Sequence, residues 1–249
     1  MTRSTKDRAM DEFSRVLRAA DPLPDDATLR PELAAAVAAT AEALRRLPPA
    51  VGHAGPGPGG PAAGFIRYPA PWGLLHVAAS DEGLAAIELR ATTEGFVETV
   101  AARLRGAVVP DQPGLPDAWR ATLERARREL DEYFAGRRTA FDLPVDLRGL
   151  SAWDRRVLSG AAGLAYGQVT SYGRLARRIG TPRAARAVGG ALGRNPIPIV
   201  IPCHRIVAAD GSIGGYGGSG HGSRAAMLDV KRRLLAIEGV GLPASALVG

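Results

Sequence analysis

Residues 195–217, NPIPIVIPCHRIVAADGSIGGYG, hold Cys203, the one cysteine of the chain, beside His204, one of four histidines. A thiol reacts as its thiolate, so it needs a base or a cation within reach. His204 and Arg205 follow it directly. Neighbouring residues on a regular strand face opposite ways, so His204 can serve Cys203 only from a bent backbone or through a water. Pro202 and the glycines downstream supply the means to bend. A histidine base gains if a carboxylate orients its second nitrogen. Glu238, in LLAIEG, is the candidate, although a carboxylate at a helix end reads first as a solvated charge. The bland readings stand beside these: a lone cysteine as a small buried hydrophobe, Tyr172 as a packing aromatic, Arg186 as a solvated cation, and Asn195 before Pro196 as an extended turn signal. Arg186 lies among Ala184, Ala185 and Ala187, whose small side chains would let a helix approach a nucleic-acid groove closely.

Composition narrows the classes. The chain has 249 residues, 46% of them hydrophobic, and a formal net charge of +7. That content suits a folded globular protein, and the charge favours an acidic partner, nucleic acid first. Heavy arginine use is also a general compositional bias, so charge alone adds little. One cysteine excludes an internal disulfide and a cysteine-rich zinc site, and suits a reducing compartment. The N-terminus lacks an apolar signal-peptide core, and no run of about 18 uncharged apolar residues occurs. A cytoplasmic protein is expected.

The elements that must position these residues are expected as follows. Met10, Phe13, Val16 and Leu17 recur at helical spacing, and RPELAAAVAATAEALRRL reads as a second helix. Residues 1–47 are thus a helical extension, and 48–64, rich in proline and glycine, a linker. Residues 65–149 read as a small α/β domain with an antiparallel sheet. In it FIRYPAPWGLLHVAAS and GLAAIELR flank a hairpin turn at Asp81, Glu82 and Gly83. Two helices follow, TEGFVETVAARLRG and AWRATLERARRELDEYFAG, separated by a long proline-rich loop, AVVPDQPGLPD. Residues 150–249 read as mostly helical, with Ser151 as an N-cap. TSYGRLARRIG and TPRAARAVGGALGRN form a helix-turn-helix, with Pro182 in the first turn and Arg186 midway along the second helix. The expected fold class is α+β.

Taken together, these residues resemble the O6-alkylguanine-DNA alkyltransferases, also called methylated-DNA–protein-cysteine methyltransferases. VTSYGRLARRIGTPRAARAVGGALGRNPIPIVIPCHRIVAADGSIGGYGG follows the family in order and spacing, and LLAIEG matches its closing helix. The similarity is strong over about 151–239, weaker over 65–149, and absent from the first 60 residues. It implies single-turnover repair: transfer of the alkyl group from O6-alkylguanine, and from O4-alkylthymine, in double-stranded DNA to Cys203, with the nucleotide flipped out through the minor groove. It implies that His204 deprotonates Cys203 through a water, that Glu238 orients His204, that Asn195 organises the turn and that Tyr172 lies near the flipped guanine. Arg186 would fill the vacated stack. Ser171, Tyr172, Ala184, Ala185, Ala187 and Gly189 would face DNA, and Tyr216, Gly217 and Ile206 would line the substrate pocket. A monomer without cofactor, metal or membrane partner is expected.

The sequence departs from the family in three places. No second cysteine is present for the zinc site some members carry. Gly217 stands where a serine is common. The stretch 218–229 is longer than usual and is expected to be a flexible loop at the pocket rim, either a wall admitting bulky adducts or a surface insertion without a role. Competing readings are a lesion-binding protein without transfer, a Cys203–His204 hydrolase, and a transcription regulator. Cys203 argues against the first. Multiple turnovers would favour the second. An alanine-rich helix poor in base-reading side chains argues against the third.

Overall fold

The computed structural model describes residues 60–89, 91–217 and 223–241. The expected helical extension, and the linker up to residue 59, lie outside them. The chain enters a four-stranded sheet at β1 (Pro61–Ala70), so the last four residues of the expected linker are strand. β2 (Gly73–Ser80) and β3 (Gly83–Leu89) follow as antiparallel neighbours. FIRYPAPWGLLHVAAS is therefore two strands that pair Ala70 with Gly73 across a tight turn. The hairpin at Asp81 and Glu82 forms, with Ser80 opposite Gly83. Gly83 has φ +127, and a Cβ there would lie 2.4 Å from the Pro144 carbonyl oxygen. Only glycine combines that dihedral with so close an approach.

α1 (Thr93–Leu104) is capped by Thr92, whose Oγ1 accepts from Gly95 N at 3.1 Å. It returns the chain to β4 (Ala107–Pro110), which pairs with β1 in parallel. The sheet order is β3-β2-β1-β4. The sheet is thus mixed rather than antiparallel, and the first four residues of the expected proline-rich loop are an edge strand. A helical crossover makes a parallel neighbour possible, and proline is tolerated at such an edge. α2 (Asp117–Phe134) packs on the opposite face from α1. Phe96, Val100 and Leu104 of α1 meet Phe65 and Ala85. Trp119, Leu123, Leu130 and Tyr133 of α2 meet Tyr68, Leu75 and Val77.

The second half is helical: α3 (Ala152–Ala162), α4 (Tyr172–Arg178) and α5 (Ala185–Gly193) precede a closing helix, α6 (Arg224–Ile237). Ser151 caps α3 as expected, accepting from Asp154 N at 3.0 Å. Two short strands, β5 (Thr170–Ser171) and β6 (Ile206–Val207), pair in parallel and tie the start of α4 to the segment after Cys203. Two expectations change here. Pro182 sits in a turn closed by Ala184 N donating to Thr181 O at 2.9 Å, so α5 starts at Ala185 and Arg186 lies in its first turn. Within 218–229, the part from Ser223 onward is helix cap and helix, because Ser223 Oγ accepts from Ala226 N and RAAMLD contains good helix formers.

One apolar cluster runs from the α2 face of the sheet into the helical half, joining Leu84 and Tyr133 to Leu158, Val188, Ile197 and Cys203. The exposed side of β3 is not left open. Leu84 N donates to Pro144 O, Asp146 N to Leu84 O, and Ile87 N to Pro196 O, each at 2.8 Å. The last bond fastens the turn before Cys203 to the sheet edge.

Candidate active site

Cys203 sits in a backbone bent by its neighbours. Pro202 has ψ 63, and Cys203–Arg205 form a single 3-10 turn before Ile206 becomes extended again. The strict alternation of a strand is thereby broken. Upstream, Ile199 has φ +77, an uncommon conformation for a β-branched residue, and it is buried. Asn195 holds this turn. Its Oδ1 accepts from Ile197 N at 3.0 Å, and its Nδ2 donates to Ile201 O at 2.9 Å and to Cys203 Sγ at 3.3 Å. The turn, its strain and the sulfur therefore depend on one amide side chain. Burial raises the Cys203 thiol above its usual value; the Asn195 donor and the Lys231 charge act against that.

Glu238 is the hub of the site. It caps the C-terminal end of α6, but it is only 4% exposed, so the solvated reading fails. Its Oε1 accepts from His204 Nε2, Tyr133 Oη and Arg205 Nη2, each at 2.8 Å. Its Oε2 accepts from Arg205 Nε at 2.8 Å and from Gly167 N at 3.0 Å. Although burial opposes the charge, His204 and Arg205 hold the carboxyl well below the usual range. A carboxylate can only accept, so His204 must carry its proton on Nε2, leaving Nδ1 with a lone pair. Nδ1 is buried and has no protein partner. Burial lowers the His204 pKa, so the ring is a neutral base. Arg205, which sequence order offered as a cation for Cys203, faces Glu238 and the Leu164 carbonyl instead.

Lys231 is the main residue that the sequence reading missed. Fully buried on α6, it donates to Ile206 O at 2.5 Å, Ile213 O at 2.8 Å and Gly215 O at 3.1 Å. Burial pulls it down to about 7, and the charge of a Cys203 thiolate acts against that fall. It ties the glycine-rich turn to the segment after Cys203. The available signal was scarcity: Lys231 is one of two lysines in an arginine-rich chain. Tyr133 and Gly167 carried no signal, since they lie far from Glu238 in sequence.

The glycine-rich turn meets Tyr172. A Cβ at Gly214 would lie 2.9 Å from the Tyr172 hydroxyl, and one at Gly189 of α5 would touch its ring at 3.7 Å. Burial raises the Tyr172 phenol above its usual pKa, and the nearby Gly215 backbone N–H acts against that rise. Tyr216 is packed against the core with a buried, unpartnered hydroxyl. Gly217 has φ +75, and a Cβ would strike Met227 Cε at 2.2 Å. Ser171 is buried, and its hydroxyl accepts from Arg174 N as the cap of α4. Ile206 is also buried, contributing its carbonyl to Lys231. On α5, Arg186 and Ala187 are exposed, Ala184, Ala185 and Gly189 half-buried.

A cavity of about 290 Å³ opens beside Cys203, bounded by Leu192, Pro198, Gly217 and Met227 on that side. Tyr172, Tyr216 and Ile206 do not border it. Among the described residues, no helix is long and apolar enough to cross a membrane.

Known proteins are similar to this chain in sequence and fold. Residues 152–240 match the family model of the 6-O-methylguanine DNA methyltransferase DNA binding domain, and residues 66–147 that of its ribonuclease-like domain. A methylated-DNA–protein-cysteine methyltransferase of Mycolicibacterium paratuberculosis is 49% identical over 120 residues, 48% of this chain and 67% of the relative. The constitutive one of Bacillus subtilis is 38% identical over 110 residues, 44% of this chain and 66% of the relative. The crystal structure of Mycobacterium tuberculosis OGT in complex with DNA superposes with a TM-score of 0.56 at 34% identity, over 70% of this chain and 92% of that one. With the residues, the fold and these relatives in agreement, the chain belongs to the methylated-DNA–protein-cysteine methyltransferase family.

Proposed function

We propose that this protein repairs DNA by moving the alkyl group of O6-alkylguanine, and of O4-alkylthymine, onto Cys203, one group per molecule. The observation that carries the reading is the buried chain Glu238–His204 beside a lone cysteine, with His204 Nδ1 left as a lone-pair base. The thiol proton passes through a water to Nδ1. The sulfur then attacks the alkyl carbon in line, the S–C bond forming as the C–O6 bond breaks. The leaving guanine takes up a proton, with Tyr172 positioned to donate toward it. The product is a thioether, which no neighbouring group can hydrolyse, so the protein is consumed.

An O6 adduct is buried in the duplex, which is why the nucleotide must leave the stack. The DNA-bound relative and the DNA binding domain match support DNA as the partner. In this reading α4 and α5 act as a helix-turn-helix. The exposed Arg186 enters the vacated stack while Ala187 and Gly190 let the helix come close in the minor groove. The protein acts as a monomer.

Intact mass after incubation with a duplex containing O6-methylguanine tests this. One added methyl per molecule is expected, on Cys203. Cys203→Ala should bind the duplex and gain nothing. Methylation of Cys203→Ala, or repeated turnover by the wild type, would overturn the reading.

A further inference from the structure

The strand-and-helix half of the chain reaches into the relay through Tyr133. That residue lies in the last turn of α2 and is fully buried, and its Oη donates to Glu238 Oε1 at 2.8 Å. Phe134, Phe141 and Tyr166 hold its ring, with centroids 5.5, 5.3 and 6.2 Å away. A phenylalanine would meet the same rings. What the hydroxyl adds is the bond to Glu238. Burial and the Glu238 charge keep the phenol far above its usual pKa, so it stays a donor.

The bond lands on the oxygen that His204 uses. Oε1 accepts from His204 Nε2, Arg205 Nη2 and Tyr133 Oη, each at 2.8 Å. A carboxylate has about four lone-pair sites, roughly two per oxygen, so three donors share what suits two. Each donor spreads the negative charge, and that charge is what helps His204 hold a proton. Tyr133 thus competes with His204 for Oε1. Its effect is to weaken the base and to favour the neutral ring, in the same direction as burial.

We infer that Tyr133 is a positioning residue for the relay: through its hydroxyl, α2 sets how strongly His204 takes the thiol proton. The inference rests on the alkyl-transfer reading above. The thiol proton still passes through a water to Nδ1, and Tyr133 keeps its own. The other charged or titrating groups around the His204 ring are Glu238 and Lys231 of α6 and Arg205 and Cys203 of its own turn. Lys231 titrates near neutrality, but it bonds to the carbonyls of Ile206, Ile213 and Gly215, not to Glu238. Its contribution is therefore common to the wild type and to variants at Tyr133.

Tyr133→Phe keeps the ring and removes the competitor. Single-turnover methyl transfer by the full chain is measured from about pH 5 to pH 8.5. The acid limb, where His204 gains its proton, should move up by about one pH unit, the order of one hydrogen bond to a charged group. On that limb the rate should fall about three- to tenfold, while the plateau stays within about threefold of the wild type. NMR titration of the His204 ring nitrogens, without DNA, should show the same upward shift. Site-specific 3-fluorotyrosine at position 133 is a more acidic phenol of nearly the same shape, hence a stronger donor, and should move the limb down. A uniform loss across the pH range, a limb that keeps its wild-type position, or shifts of the same sign in both proteins would overturn the inference. If Tyr133→Phe melts too early to assay, the fluorotyrosine protein, which keeps every bond, decides alone. A wild type that transfers no methyl group would instead overturn the transfer reading, and the NMR titration would still test the link from Tyr133 to His204.

Discussion

Five donors converge on the two oxygens of Glu238. Glu238→Gln keeps the shape but turns one oxygen into a second donor facing Arg205 or Gly167. His204 then loses the charge that orients and strengthens it as a base. Methyl transfer should slow by on the order of 10²-fold. Removing one partner of a buried pair also destabilises strongly, by about 3–5 kcal/mol, so the melting temperature should fall as well. A single-turnover rate equal to that of the wild type at a temperature where the variant is folded would show that Glu238 is structural only.

At the scale of elements, α5 gives the sharpest expectation. Arg186 is exposed in the first turn of that helix. Its charge adds nothing favourable to a helix N-terminus, so removing it should not cost the fold. Arg186→Ala should leave the melting temperature unchanged and reduce repair of duplex DNA. Its reaction with free O6-benzylguanine should stay near that of the wild type, because a free base leaves no gap in a stack. Quench-flow rates on both substrates check this. Equal losses on the two would assign Arg186 to the fold instead.

For the whole molecule, buried titrating groups set an acid limit. His204 is held below its usual 6.5 by burial, and so is His76, enclosed by Phe65 and Phe96. The unfolded chain therefore takes up protons first, and stability is present above about 6.5 and lost as the pH falls below it. Glu238, Asp146 and Asp154 are held low by their donors, so their contribution is lost as the pH falls below the ordinary carboxylate values of 4.5 and 3.8. Lys231, at about 7 in the fold, acts in the same direction above neutrality. Melting followed by circular dichroism from pH 7 to pH 3 should show two successive declines, and His76→Gln should reduce the first. A melting temperature constant from pH 7 to pH 5 would contradict the neutral, buried state of both histidines.

Local features were legible in the sequence because local residues decide them. The Ser151 cap and the hairpin at Gly83 depend on hydrogen bonds or dihedrals spanning three or four residues. The bend at Cys203 was legible through Pro202, and the order of motifs from Tyr172 to Glu238 carried the family likeness. The start of α5 was missed even locally, because Pro182 suits a turn as well as a first helical position. The parallel partner of β1 needed the path of α1, which no pattern in AVVP states. Whether Glu238 is solvated or the centre of a buried network depends on Tyr133, 105 residues away, and on Gly167, 71 away. The cavity beside Cys203 has walls from β3, α1 and the 195–198 turn, and its size exists only once those elements pack. Residue types thus determined which chemistry was available, whereas burial and long-range contacts, which only the folded chain creates, decided the charge states and the room around the sulfur.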